Sequence, residues 1–198
     1  MMNLLYEPLP DCIQAGGRLI PVLTDFREWI RFADMIADPE LSDTEKLCLM
    51  REWLDEPECI TEEIVNALYA FYRADALEPD PLHEDEKNEV DGEKQQPLPS
   101  APVFSWSVDA RFLLGDFRRY YGIDLLETGY LHWWAFKALF AALPDESQCQ
   151  KRIAYRSVNL SDIKDNKERE RIRRIQQRIA LPFEYDDEMI GEMLGGMM

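Results

Sequence analysis

The stretch that decides the fold is "LHWWAFKALFAALP", Leu131 to Pro144, two adjacent tryptophans in an apolar run interrupted only by His132 and Lys137. At 100° per residue, Leu131, Trp134, Ala135, Ala138 and Ala142 fall on one side of a helical wheel. Phe136, Leu139, Phe140 and Leu143 cover most of the other. A helix apolar nearly all round is a buried one, so the spacing predicts a central pillar against which amphipathic helices pack. Its indole N–H groups then need partners inside the protein. The other reading is a partly exposed tryptophan patch awaiting a protein partner.

Outward from that pillar, the chain reads as mainly α-helical, a single-domain bundle of six to eight helices with a small N-terminal β-hairpin. Towards the N-terminus, "CIQAGGRLIPV" places two short apolar pieces around Gly16-Gly17, a tight-turn signature. "TDFREWIRFADMIADP" is a helix opened by Asp25, with Phe26, Trp29, Ile30, Ala33 and Ile36 inward and Pro39 as its stop. A second helix starts at the Ser42/Glu45 capping-box pair and turns Leu47, Met50 and Leu54 to one side. A third has Thr61 as N-cap and Ile64, Leu68 and Phe71 as its inner stripe. Further on come "VDARFLLGDFRRYYG", ended by Gly122, "SQCQKRIAYRSV" from Ser147, and "DNKERERIRRIQQRIALP", with Ile172, Ile175 and Ile179 in a narrow apolar row. The expected organisation is residues 1–77 for the hairpin and three helices, and 78–102 for a disordered acidic linker. Residues 103–185 supply the remaining helices, packing with the first part as one domain, and 186–198 a flexible tail.

The chain has 198 residues and a net charge of -17, which disfavours nucleic acid and anionic membranes as partners of the whole molecule. Locally the sign reverses: between Lys151 and Arg178 ten basic residues face four acidic ones, a balance of +6. The helix Lys167–Arg178 is therefore the one place from which a nucleic-acid-binding function could be argued, although its glutamates are interleaved and the remainder of the chain would repel phosphate. Four cysteines without a CxxC pair read as free, mostly buried thiols in a reducing cytoplasm. No apolar run is long enough to span a bilayer, and the opening residues do not resemble a signal peptide.

Catalytic chemistry finds little footing. His83 falls in the acidic linker and His132 borders the apolar helix, so no nucleophile–histidine arrangement can be built. Asp124 in "YGIDLLETG" reads as a capping residue rather than a general base. The linker acids lack the spacing of an EF-hand, and "YDDE", Asp186 to Glu188 with its tyrosine, suits a helix start better than a metal site. No enzyme activity, cofactor or metal is expected.

Four blocks in order, "TDFREWIRF", "FYR", "YYGIDLLETGYLHWWAFKALFAALP" and "IAYRSVNLSDIKDNKERERIRRIQQRIALP", resemble the gene-product-fifteen family of siphophages and of prophages in Gram-positive bacteria. The specific part runs from "YGIDL" through His132, Trp133, Trp134, Phe136 and Leu139 to the arginine of "YR". Ala135 stands where the family pattern implies a basic residue, and Lys137 is the nearby substitute. The resemblance implies a tail assembly chaperone, encoded beside the tape-measure protein and holding it soluble in the host cytoplasm while tube subunits assemble. It also implies the tape measure as partner, with a second tail chaperone or another copy of itself as further partners. A structural or tail-completion component is the alternative it leaves open.

Overall fold

The computed structural model describes residues 6–55, 59–74 and 103–181. The expected linker at 78–102 and the expected tail at 186–198, including His83 and Asp186 to Glu188, lie outside the described residues. Among the described residues there are one hairpin and seven α-helices, so the protein is mainly α. Their contacts divide into two compact units, the first holding the described residues up to 74 with Tyr130–Lys137, the second residues 103–129 and 138–181.

In the first unit, β1 (Cys12–Ala15) pairs antiparallel with β2 (Arg18–Pro21), Ala15 opposite Arg18. The turn needs two consecutive left-handed residues, and Gly16 and Gly17 supply them at φ 57° and 71°. Alternation buries Ile13, Ala15 and Ile20 and leaves Leu19 exposed. The Gly16 N–H donates to the Glu63 carboxylate at 2.6 Å, which ties the turn to α3 (Glu62–Arg73).

Helix α1 (Phe26–Ala37) begins at Asp25, whose carboxylate accepts the Arg27 N–H at 3.0 Å. Its inner face differs from the expected one. Phe26, Trp29, Phe32 and Met35 are buried, while Ile30, Ala33 and Ile36 are half-buried. Both rows have helical spacing, and the aromatic row wins because each ring removes more surface from water than an Ile or Ala. Trp29 and Phe32 are fully buried, with Phe71 stacked on Trp29 at 4.7 Å and Trp53 edge-on to Phe32 at 5.1 Å.

Helix α2 (Asp43–Leu49) carries the capping box: the Ser42 hydroxyl accepts the Glu45 N–H, and the Glu45 carboxylate accepts the Ser42 N–H at 2.9 Å. The Ser42 hydroxyl, which also donates to Glu45, holds that carboxyl below its usual range. A 3-10 turn, Met50–Trp53, follows directly. Met50 and Leu54 are buried as expected and Leu47 only half. Lys46 is fully buried instead, its Nζ without a hydrogen-bond partner among the described residues. In α3, Thr61 caps the start and Ile64, Val65, Leu68 and Phe71 are buried; it ends on Ala74 in the left-handed region at φ 58°.

The second unit is built on α4 (Ala110–Tyr121), α6 (Gln148–Ser157) and α7 (Asn166–Ile179), with α6 packed against both others. Gly122 ends α4 at φ 70° and returns its N–H to Arg118 O at 3.1 Å. Ser147 caps α6, and Asp165 caps α7 by accepting the Lys167 and Glu168 N–H groups at 2.7 and 2.8 Å. Helix α5 (Trp133–Ala141) gives its first turns to the first unit and its last to the second. Asp124 caps a turn through the Leu126 N–H at 3.0 Å. The cysteines are free, but only Cys149 is buried, at the start of α6; Cys12, in β1, is half-buried, and Cys48, in α2, and Cys59, before α3, are exposed.

Candidate functional site

The apolar helix does a more specific task than filling space. A helix leaves its last carbonyls without partners further along the helix, and the end of α3 takes side-chain donors for them. Trp134 Nε1 donates to Phe71 O at 2.9 Å, Trp133 Nε1 to Tyr72 O at 2.8 Å, and Lys137 Nζ to Arg73 O at 2.7 Å. Three successive carbonyls of α3 are thus capped by one turn of α5. The Lys137 ammonium also sits at the negative end of the α3 dipole and over the Tyr72 and Trp133 rings at 5.9 and 5.8 Å. The double tryptophan fits this role because each indole offers one N–H on a large apolar body.

His132 holds the start of the same turn. The Trp134 backbone N–H donates to His132 Nδ1 at 3.0 Å, which places the ring proton on Nε2, and Nε2–H donates to Pro10 O at 2.9 Å. Burial pushes the imidazole below its ordinary value of 6.5, the Pro10 bond and the Asp11 charge opposing that shift. A neutral ring satisfies both bonds; a protonated one would lose its acceptor. Around it, Phe26 N–H donates to Leu131 O at 2.9 Å and Trp133 N–H to Thr24 O at 2.8 Å. Phe136 stacks on Phe26 at 4.8 Å.

The structure therefore brings His132, Trp133, Trp134 and Phe136 into one buried block of the first unit. Leu139 belongs to the second, half-buried, its carbonyl accepting the Tyr121 hydroxyl at 2.7 Å. The pillar buried along its whole length is corrected: α5 starts at Trp133 rather than Leu131, Phe140 is half-buried, and Ala141 and Ala142 are exposed. The cause is the capping geometry, which inserts only the first turns.

The second unit has a buried ionic centre. The Arg156 guanidinium spans both Asp109 oxygens, at 2.5 and 3.0 Å, and donates to Val103 O at 3.0 Å and Ile179 O at 2.7 Å. Asp116, 3% exposed, accepts the Gln148 and Cys149 N–H groups at 3.1 and 2.8 Å. Burial first, then Asp116, pushes the Cys149 thiol far above its usual range, which makes it a poor nucleophile. Neither aspartate was singled out in the sequence, where each reads as an ordinary helix acid. Only the arginine of "YR" carried a signal.

Two surfaces could meet a partner. In the first unit a groove of about 430 Å³ runs beside α1, with Met35, Leu41, Leu49 and Trp53 as its apolar floor. Glu28, Asp34, Asp38 and Glu52 rim it, against one cation among the described residues, Arg31, which pairs with Glu28 at 2.7 Å. In the second unit, α7 buries Ile172 and turns basic side chains to solvent. Among the described residues no group of three or more His, Cys, Asp or Glu is placed to hold a metal, and no helix is long and apolar enough to cross a membrane.

A mainly α-helical protein, whose sequence motif caps one of its own helices and whose free chemistry lies in charged surfaces, is the class that fold and site define. A family model described as Bacteriophage Gp15 protein matches residues 5–181, and the chain belongs to that family. A search of curated proteins and a search of solved structures each give no match.

Proposed function

We propose that this phage protein is a non-enzymatic tail assembly chaperone that keeps the tape-measure protein soluble in the cytoplasm of the bacterial host until the tube has formed around it. The observation that carries the reading is the acid-rimmed apolar groove beside α1. A tape measure is a long, helix-rich chain prone to aggregate. A helix of that kind, with apolar residues at i, i+3, i+4 and i+7 and flanking cations, suits a groove with an apolar floor and carboxylates on its walls. The net charge of -17 keeps the holder soluble while it carries such a client.

Co-expression with the long coiled-coil-rich product of the adjacent reading frame tests this. The expected result is a soluble complex and a higher soluble yield of the client, both reduced by Asp34→Lys with Glu52→Lys. No complex, together with tight salt-sensitive binding of duplex DNA, would replace this reading with the nucleic-acid one. That second reading has the exposed basic side of α7 in its favour and the charge of the whole chain against it.

A further inference from the structure

Lys167, Arg171, Arg174 and Arg178 stand at i, i+4, i+7 and i+11 along α7, and all four are exposed. At 100° per residue that spacing gathers them into one row about 60° wide and about 16 Å long. Arg171 reaches Glu168 at 2.8 Å, whereas Lys167, Arg174 and Arg178 meet no carboxylate among the described residues. Half-buried Ile175 borders the row, and the opposite side of the helix packs within its own unit: Ile172 is buried and Gln176 donates to Tyr155 O and Val158 O.

Such a row has the charge to suit a negative, partly apolar surface. The first unit displays one. Along the groove, Glu28, Asp34 and Asp38 extend from the first turn of α1 to its cap, a rise of about 15 Å, which matches the length of the row. The floor of Met35, Leu41, Leu49 and Trp53 gives Ile175 an apolar seat, and Arg31 interrupts the acids at one point, so that one register is favoured over a slide.

We infer that α7 of one copy docks in the acid-rimmed groove of a second copy, so that the protein self-associates head to tail through unlike surfaces. General repulsion between copies of charge -17 is screened beyond about 8 Å at physiological salt, while ion pairs in contact are screened less. Because the contact is heterologous, each added copy leaves a groove free at one end and an α7 free at the other; the assembly extends or closes into a ring. This goes beyond the client reading and stands without it; α7 of a second copy and a client helix would compete for the one groove.

Sedimentation velocity of the full chain, at about 50 and about 500 mM salt, reads the outcome. The expected result is concentration-dependent association, weakened about tenfold or more by the added salt. Arg174→Glu with Arg178→Glu, and separately Asp34→Lys with Glu52→Lys, should each give a monomer with an unchanged circular dichroism spectrum. Mixed, the two variants should form a complex, because the unaltered α7 of the groove variant meets the unaltered groove of the α7 variant. The milder Arg178→Gln should weaken association without abolishing it. A wild-type monomer at low salt across the concentration range overturns the inference. So does association that survives the α7 reversal, failure of the two reversed variants to combine, or a row that takes duplex DNA while the chain stays monomeric.

Discussion

Arg156→Met should be the most damaging single change in the second unit. Its guanidinium makes two bonds to Asp109, one to Val103 O and one to Ile179 O, with side-chain exposures of 8% for Arg156 and 1% for Asp109. The methionine fills most of the volume, so the loss is electrostatic: a carboxylate stays buried with the Ser105 N–H at 3.3 Å and the charge of nearby Arg152 to compensate it. Breaking a buried pair by removing one member costs about 3 to 5 kcal/mol. Two orphaned carbonyls add to this, and the anchor on the end of α7 is lost. Arg156→Lys keeps the charge but not the planar fork, and should recover less than about half of the loss. The assay is urea unfolding followed by circular dichroism, with hydrogen exchange on α7 as a local readout. In the double-mutant cycle with Asp109→Asn, the paired change should cost at least about 2 kcal/mol less than the sum of the single changes. A loss below about 1 kcal/mol for Arg156→Met, or additivity in the cycle, would show that the centre is not the buried, mutually satisfied pair described above.

Trp133→Phe keeps aromatic bulk but leaves Tyr72 O only the Lys137 ammonium at 3.5 Å, so it should lower stability by about 1 to 3 kcal/mol in urea melts; Trp134→Phe should cost less, because Phe71 O keeps the Ala74 N–H at 3.1 Å, and Lys137→Met less than Trp133→Phe because it is more exposed. His132 is held below 6.5, so the unfolded chain binds more protons just below that value; stability should be full above pH 6.5 and fall as pH drops through the folded value. The difference between wild type and His132→Asn, measured from pH 8 to pH 5, should carry that slope; a flat difference refutes the neutral, doubly bonded ring. Gly17→Ala, at φ 71° with open space beyond its Cβ, should cost about 1 kcal/mol from the backbone alone. A thiol reagent added to the native protein should modify Cys48 and Cys59 quickly and Cys149 only on unfolding.

Much of the fold is local, and local features are legible. Gly16-Gly17, the Ser42/Glu45 box, Thr61, Gly122 and Ser147 mark their elements because caps and turns are contests between neighbouring groups, decided within a few residues. The inner stripe of α3 and the isoleucine row of α7 could be read by period. For α1 the period allowed two faces, and only the presence of Phe71 and Trp53 selected the aromatic one. The groove gave no sign at all, since Asp34 and Glu52 are ordinary helix-surface acids until α1 and the 3-10 turn stand side by side.

By itself, then, the sequence determined the helical class, the punctuation of most elements, the family, and the need of two indole N–H groups for partners. What only the tertiary structure decided is which acceptors they take, the Phe71 and Tyr72 carbonyls some sixty residues away, and which acid meets Arg156. The physical reason is that a helix end states how many groups lack partners, whereas the identity of the partner depends on which distant segment packing brings to within about 3 Å.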